Sequence, residues 1–165
     1  MKRLLPAALA LFFVLAAAPA PAQAQTFLSV LTGDQEVPPV DTNHFGVSVL
    51  FFLNSETLVS FRVTTLTEAQ ITGAHIHLGP PGEDGPIVID FRNASHVEIA
   101  GLAFYVNTAE DLEGPLAESP LSALRDAMLA GNTYINLHTE ANPGGEIRGQ
   151  IQPLRPVVTS TRSRR

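Results

Sequence analysis

The chain has 165 residues, 45% of them hydrophobic and 16% charged, and it contains neither cysteine nor tryptophan. That apolar content excludes a wholly disordered chain, and the length fits one domain. The missing cysteines exclude a disulfide framework, a thiolate zinc site, a cysteine nucleophile, an iron–sulfur cluster and a lipoprotein anchor.

The first 24 residues have the three parts of a secretory signal: the positive start Met1-Lys2-Arg3, the apolar run Leu4 to Ala18, and the small-x-small site Ala22-Gln23-Ala24. A run of about fifteen apolar residues falls short of the roughly 20 needed for a membrane-spanning helix. Cleavage after Ala24 is therefore expected, giving a secreted or periplasmic protein with no stable membrane anchor.

Residues 25–165 keep 8 arginines, no lysine and all 16 acids, a formal charge of −8. Four of those arginines (Arg155, Arg162, Arg164, Arg165) lie in the last eleven residues, so residues 25–154 carry −12. Such a body repels nucleic acid and anionic membranes and attracts cations. The segment 153–165 lacks an apolar period and is expected to be a disordered basic tail, able to dock on an acidic partner.

Between these ends the chain reads as strands. Residues 27–31, 46–53 and 58–66 are rich in apolar, β-branched and aromatic residues, the last two forming a hairpin through Asn54-Ser55-Glu56-Thr57. Residues 71–78 and 86–91 follow, then a weaker strand over 97–106. The final pair, 133–139 and 146–151, is separated by Glu140 to Gly145. Ser119 to Gly131 breaks the pattern: a capping serine, proline at the first helical position, Leu121, Leu124 and Met128 at helical spacing, and a terminal glycine predict one short amphipathic helix. The expected fold is all-β, an antiparallel Greek-key-like sandwich or barrel of immunoglobulin-like or superoxide-dismutase-like type. The stretch Gln35 to Asp41, with adjacent prolines, is expected to be extended at an edge or crossover.

Chemistry concentrates in two places. In His75-Ile76-His77 both imidazoles share a strand face while Ala74, Ile76 and Leu78 face the core. In the last hairpin, a symmetric loop pairs Tyr134 with Gln150, Asn136 with Arg148 and His138 with Glu146. One face then carries Tyr134, Asn136, His138, Glu146, Arg148 and Gln150, and the other the apolar row Ile135, Leu137, Ile147, Gly149 and Ile151. His138 would sit beside the Glu146 carboxylate, which could orient its ring. Three neutral imidazoles suit copper or zinc. A shared site requires nitrogens of His75, His77 and His138 to converge within about 4–5 Å of one point, given metal–nitrogen bonds near 2 Å.

These segments carry a resemblance. Leu31 to Val40 (LTGDQEVPPV), Ala74 to Gly79 (AHIHLG), Gly85-Pro86-Ile87-Val88, Tyr134 to Thr139 (YINLHT) and Gly144 to Ile151 (GGEIRGQI) resemble the CHRD domain, over about residues 26–152. The resemblance implies a β-sandwich or barrel and no particular reaction. The motifs also resemble the His-x-His strand of copper–zinc superoxide dismutase, but with five histidines and no cysteine, dismutase activity is not expected.

Three functions follow as expectations. The first is a non-catalytic module binding another protein, an envelope polymer or itself through an exposed polar face. The second is a copper or zinc site on His75, His77 and His138, with Glu146 behind it. The third is a hydrolase using Asp84, Asp90 or Glu146, for which no nucleophile or paired-acid motif speaks. Against the second, His75 and His77 can instead hold the turn Gly79 to Pro86, and Glu146 and Arg148 can form an ordinary charge pair. Gly73, Gly79, Gly82 and Gly85 are expected to supply positive φ in turns, and Gly82-Glu83-Asp84-Gly85 offers two acids to calcium.

Overall fold

A computed structural model describes residues 25–99 and 102–154. The leader-like segment and the residues beyond Leu154 lie outside the described residues. Among the described residues there are ten strands: β1 (Thr26–Thr32), β2 (Phe45–Phe52), β3 (Leu58–Thr64), β4 (Ile71–Leu78), β5 (Ile87–Asp90), β6 (Ser95–Ile99), β7 (Leu102–Asn107), β8 (Thr133–Thr139), β9 (Ile147–Gln150) and β10 (Gln152–Pro153). One α-helix, α1 (Leu121–Leu129), interrupts them.

All strand pairs are antiparallel, in one sheet of order β5-β4-β8-β9-β1-β2-β3-β7-β6, with β10 added against β1. The sheet curls around a single core in which Phe27 and Leu50 from one half join Ile76, Ile135 and Ile147 from the other. The all-β expectation is met, with the strands in one curled sheet. Leu121, Leu124 and Met128 of α1 are buried in that same core.

Three boundaries differ from the sequence reading. The single strand expected over 97–106 is two antiparallel strands, β6 and β7, whose register runs from Ser95 opposite Val106 to Ile99 opposite Leu102. The helix begins one residue late: Pro120 is the extended N-cap (ψ 151°), so Ser119 makes no cap. Gly131 does follow the helix in the left-handed region (φ 69°), where a side chain would be strained. Of the tail expected from 153, Pro153 pairs with Phe27 and the Leu154 amide donates to the Thr26 carbonyl, and the rest lies outside the described residues.

Strand alternation decides which side chains meet the core. In β1, β2 and β3 the inward rows include Ser29, Ser48 and Ser60, all buried beside the leucines and phenylalanines. Ser29 Oγ donates to the Gly149 carbonyl and Ser48 Oγ to the Phe61 carbonyl, which makes their burial tolerable. The outward rows of the same strands are largely apolar as well, with Leu28 and Val30 on β1, Val47, Val49 and Phe51 on β2, and Val59, Phe61 and Val63 on β3.

Candidate metal centre

Strand β4 supplies His75 and His77 from alternate positions, so both rings leave the same face, while Ala74 and Ile76 enter the core. Strand β8 lies beside it with Gly73 opposite His138, His75 opposite Asn136 and His77 opposite Tyr134. That register places His138 diagonally across from His75, within reach of a long side chain. The ring nitrogens of His75, His77 and His138 lie within 4.8 Å of one another. His75 Nδ1 is 2.9 Å from His138 Nε2. Gly73 leaves room for this: a Cβ there would stand 3.0 Å from His75 Cε1 and 3.4 Å from His138 Cδ2.

The protein sets two of the three rings through backbone carbonyls. His77 Nδ1 donates to Gly85 O at 2.8 Å, and His138 Nδ1 donates to Pro143 O at 2.9 Å. A carbonyl only accepts, so in both rings Nδ1 carries the proton and Nε2 the lone pair. His77 Nε2 is buried and has no protein partner. His77 is further fixed by stacking on Tyr134, with ring centres 4.7 Å apart and planes inclined by 7°.

His75 is buried, its Nδ1 facing the His138 lone pair and its Nε2 standing 3.8 Å from Asp90 Oδ1. Burial, and then the neighbouring His138 ring, lower its pKa from 6.5 to about 4, against the raising pull of Asp90. Burial also lowers the pKa of His77, partly offset by the Gly85 carbonyl. Both rings are therefore neutral at pH 7, the form in which imidazole binds a metal. Asp90 is held below the usual carboxylate range chiefly by the Arg92 side chain, which contacts both its oxygens.

The place expected for Glu146 is corrected. The hairpin pairs as anticipated from Tyr134 opposite Gln150 to Leu137 opposite Ile147. At the next step the Glu146 amide donates to the same Leu137 carbonyl, an irregular step of the kind a β-bulge makes, and Glu146 leaves the histidine face. Its carboxylate accepts from Thr42, Thr139 and Asn142, and the Pro143 carbonyl orients His138 instead. Burial opposes ionisation of Glu146, but those three hydrogen bonds outweigh it and keep its carboxyl below the ordinary value.

The polar face next to the histidines is also not the exposed surface that was expected. Asn136 and Arg148 are buried and Tyr134 is 2% exposed. The Arg148 guanidinium lies 3.4 Å above the Tyr134 ring, donates to Pro80 O and Glu83 O, and pairs with Asp84 at 3.2 Å. Gln150 Nε2 donates to Gly79 O and Gly131 O. The loop 79–85 is thus a roof pinned by Arg148 and Gln150. The short 3-10 turn Gly33–Gln35 brings in Glu36 from the other side, where the Asn136 amide donates to its carboxylate. Burial pushes the Glu36 pKa up to about 7, against the pull of Arg148 and Asn136. Glu36 was missed in the sequence, where it read as part of an extended strip; the neighbouring prolines gave no sign that its side chain turns inward.

The other candidates separate. Asp84, Asp90 and Glu146 are each engaged by partners of their own, Arg148, Arg92 and the hydroxyl–amide set respectively. The calcium reading of Gly82 to Gly85 fails because the Arg148 cation occupies that loop. Of the four glycines expected at positive φ, only Gly82 (φ 80°) has it. Gly85 instead lets two chain segments touch, since a Cβ there would collide with the Leu78 carbonyl. His44 bonds Thr65 and His96 packs near Tyr105, outside the cluster.

The fold and this cluster define a single antiparallel β module with buried imidazoles beside a roofed polar face. The family model of the CHRD domain matches residues 27–151, and the chain belongs to that family. Membership defines the module and names no reaction. Neither the curated proteins nor the solved structures gave a match.

Proposed function

We propose that this CHRD domain is a metal-holding module of an exported protein, binding one copper or zinc ion on His75, His77 and His138. The observation that carries the reading is the convergence of the three ring nitrogens within 4.8 Å, two of the rings being set by backbone carbonyls so that Nε2 offers its lone pair. Carbonyl groups that fix a ligand's tautomer are the usual support of a histidine site.

His75 completes the set by exchanging tautomers. Without metal, its Nδ1–H satisfies the His138 lone pair at 2.9 Å. With metal, the proton sits on Nε2, facing the Asp90 carboxylate at 3.8 Å, and Nδ1 becomes the third ligand. The ring stays neutral throughout. Three nitrogen ligands leave a fourth position for water or a small ligand, as suits carriage or delivery of the ion. The absence of cysteine from the chain agrees with imidazole rather than thiolate donors.

Titration of the exported chain with Zn²⁺ and Cu²⁺ by isothermal calorimetry tests this. One ion per chain is expected, with affinity reduced about 100-fold or more in His75→Ala, His77→Ala and His138→Ala, by the size of ligand and supporting-group effects, and unchanged in His96→Ala. Unaltered binding in His75→Ala contradicts the site.

A further inference from the structure

We propose that the exported protein forms a homodimer through the open face of β1, β2, β3, β7 and β6, two copies packing sheet on sheet. The outward residues of these strands align in rows. The central row runs across all five strands as Leu28, Val49, Phe61, Phe104 and Val97, each pair in direct register. Phe61 and Phe104 touch within it, with ring centres 5.3 Å apart. On one side lies the row Val30, Val47 and Val63; on the other, Phe51, Val59 and Val106 in register. None of these positions is charged. Val30, Val63 and Val97 are 49, 57 and 55% exposed, so no other described part of the chain covers them.

An apolar face this continuous is uncommon on a monomer and marks a contact surface. Charge then selects the occupant. Residues 25–154 carry −12, so two copies repel one another over most of their surfaces. The charge-free face is where they can meet without placing acid against acid. A two-fold contact sets the same patch against itself, so an apolar face without charge, with only the Thr26 and Ser95 hydroxyls at the two ends of one row, is complementary to its own copy. Its size fits as well: once Leu102 and Ile99 extend one outer row and Thr26 and Ser95 the other, five strands about 4.8 Å apart and three rows cover roughly 500 Å² per copy, and two copies reach the roughly 1,000 Å² of a specific interface. Sheets packed this way sit about 10 Å apart.

Sedimentation equilibrium of the exported chain tests the proposal, with metal present and with a chelator, because the dimer does not depend on the histidine site. A dimer is expected in both, tighter at higher salt as repulsion between the acidic bodies is screened. Val63→Glu and Val97→Lys, whose side chains are exposed in the single copy, are expected to keep the wild-type circular dichroism and to dissociate at least tenfold more readily. A wild-type monomer at 100 micromolar overturns the proposal, including a monomer that binds phosphatidylcholine vesicles. A dimer that persists equally in both variants, as edge pairing through β6 would give, also overturns it, and so does association that weakens with salt.

Discussion

Around β4, β8 and β9 the face turned away from the core is polar and roofed, whereas around β1, β2, β3, β7 and β6 it is apolar and open. Both halves belong to one curled sheet and share one core. In the first half, Arg148 is 1% exposed, with its donors spent on loop carbonyls and Asp84. In the second, Val63 is 57% exposed. Buried polar groups are tolerable where they are partnered, and the roof supplies the partners. The atoms that it leaves without one include Nε2 of His77, which faces the proposed ion, and Nε2 of His75, which stands on the Asp90 side of its ring. The open half has no roof: Val59 is already covered (7% exposed), but Val30, Val63 and Val97 stand about half exposed with nothing among the described residues over them.

The contrast can be broken most strongly at Arg148. Arg148→Ala removes the stacking on Tyr134 and the anchor of the loop 79–85, and should cost on the order of 3 kcal/mol in urea unfolding. Hydrogen exchange in residues 79–85 should rise with it. Arg148→Lys should recover little, because a lysine has no planar fork to reach Pro80 O, Glu83 O and Asp84 together.

A smaller effect lies at Glu36. Its carboxyl is raised from 4.5 to about 7 in the folded protein. The unfolded chain therefore releases this proton first as pH rises. Glu36's contribution to stability is complete below about 4.5 and is lost as pH rises through about 7. Glu36→Gln keeps an acceptor for Asn136 without the charge. It should be more stable than wild type at pH 8 by on the order of 2 kcal/mol and nearly equal at pH 4.5. Urea midpoints of both proteins over that range give the comparison, other titrating groups cancelling between them. The smallest effect belongs to the open half: Val97→Thr should change the stability of the single copy by less than about 0.5 kcal/mol.

Local rules carried the hairpin and the His-x-His strand. Alternation fixed which residues of β8 and β9 share a face, and the pairing of Asn136 with Arg148 follows from it. The family motifs pointed at the same residues. What alternation could not supply was the surroundings of each face. Nothing in Gly79 to Gly85 shows that its carbonyls fold over Arg148, sixty-odd residues away. The irregular step at Glu146 depends on how the loop closes, which the polar–apolar pattern of the strands does not encode. In β2 the smaller Gly46 and Ser48 point inward and Val47, Val49 and Phe51 outward, so reading the larger residues as core would invert the strand. Only the partners, such as the Phe61 carbonyl that accepts from Ser48, reveal the true direction.

The central claim is that three imidazoles act together on one ion, and ¹⁵N NMR of the histidine rings during Zn²⁺ titration tests it most directly. The account predicts saturation at one equivalent, with His77 and His138 bound through Nε2, His75 switched to binding through Nδ1, and His44 and His96 unmoved. Unchanged resonances of His75, His77 and His138 at one equivalent, or saturable binding carried by His44 and His96, would contradict it.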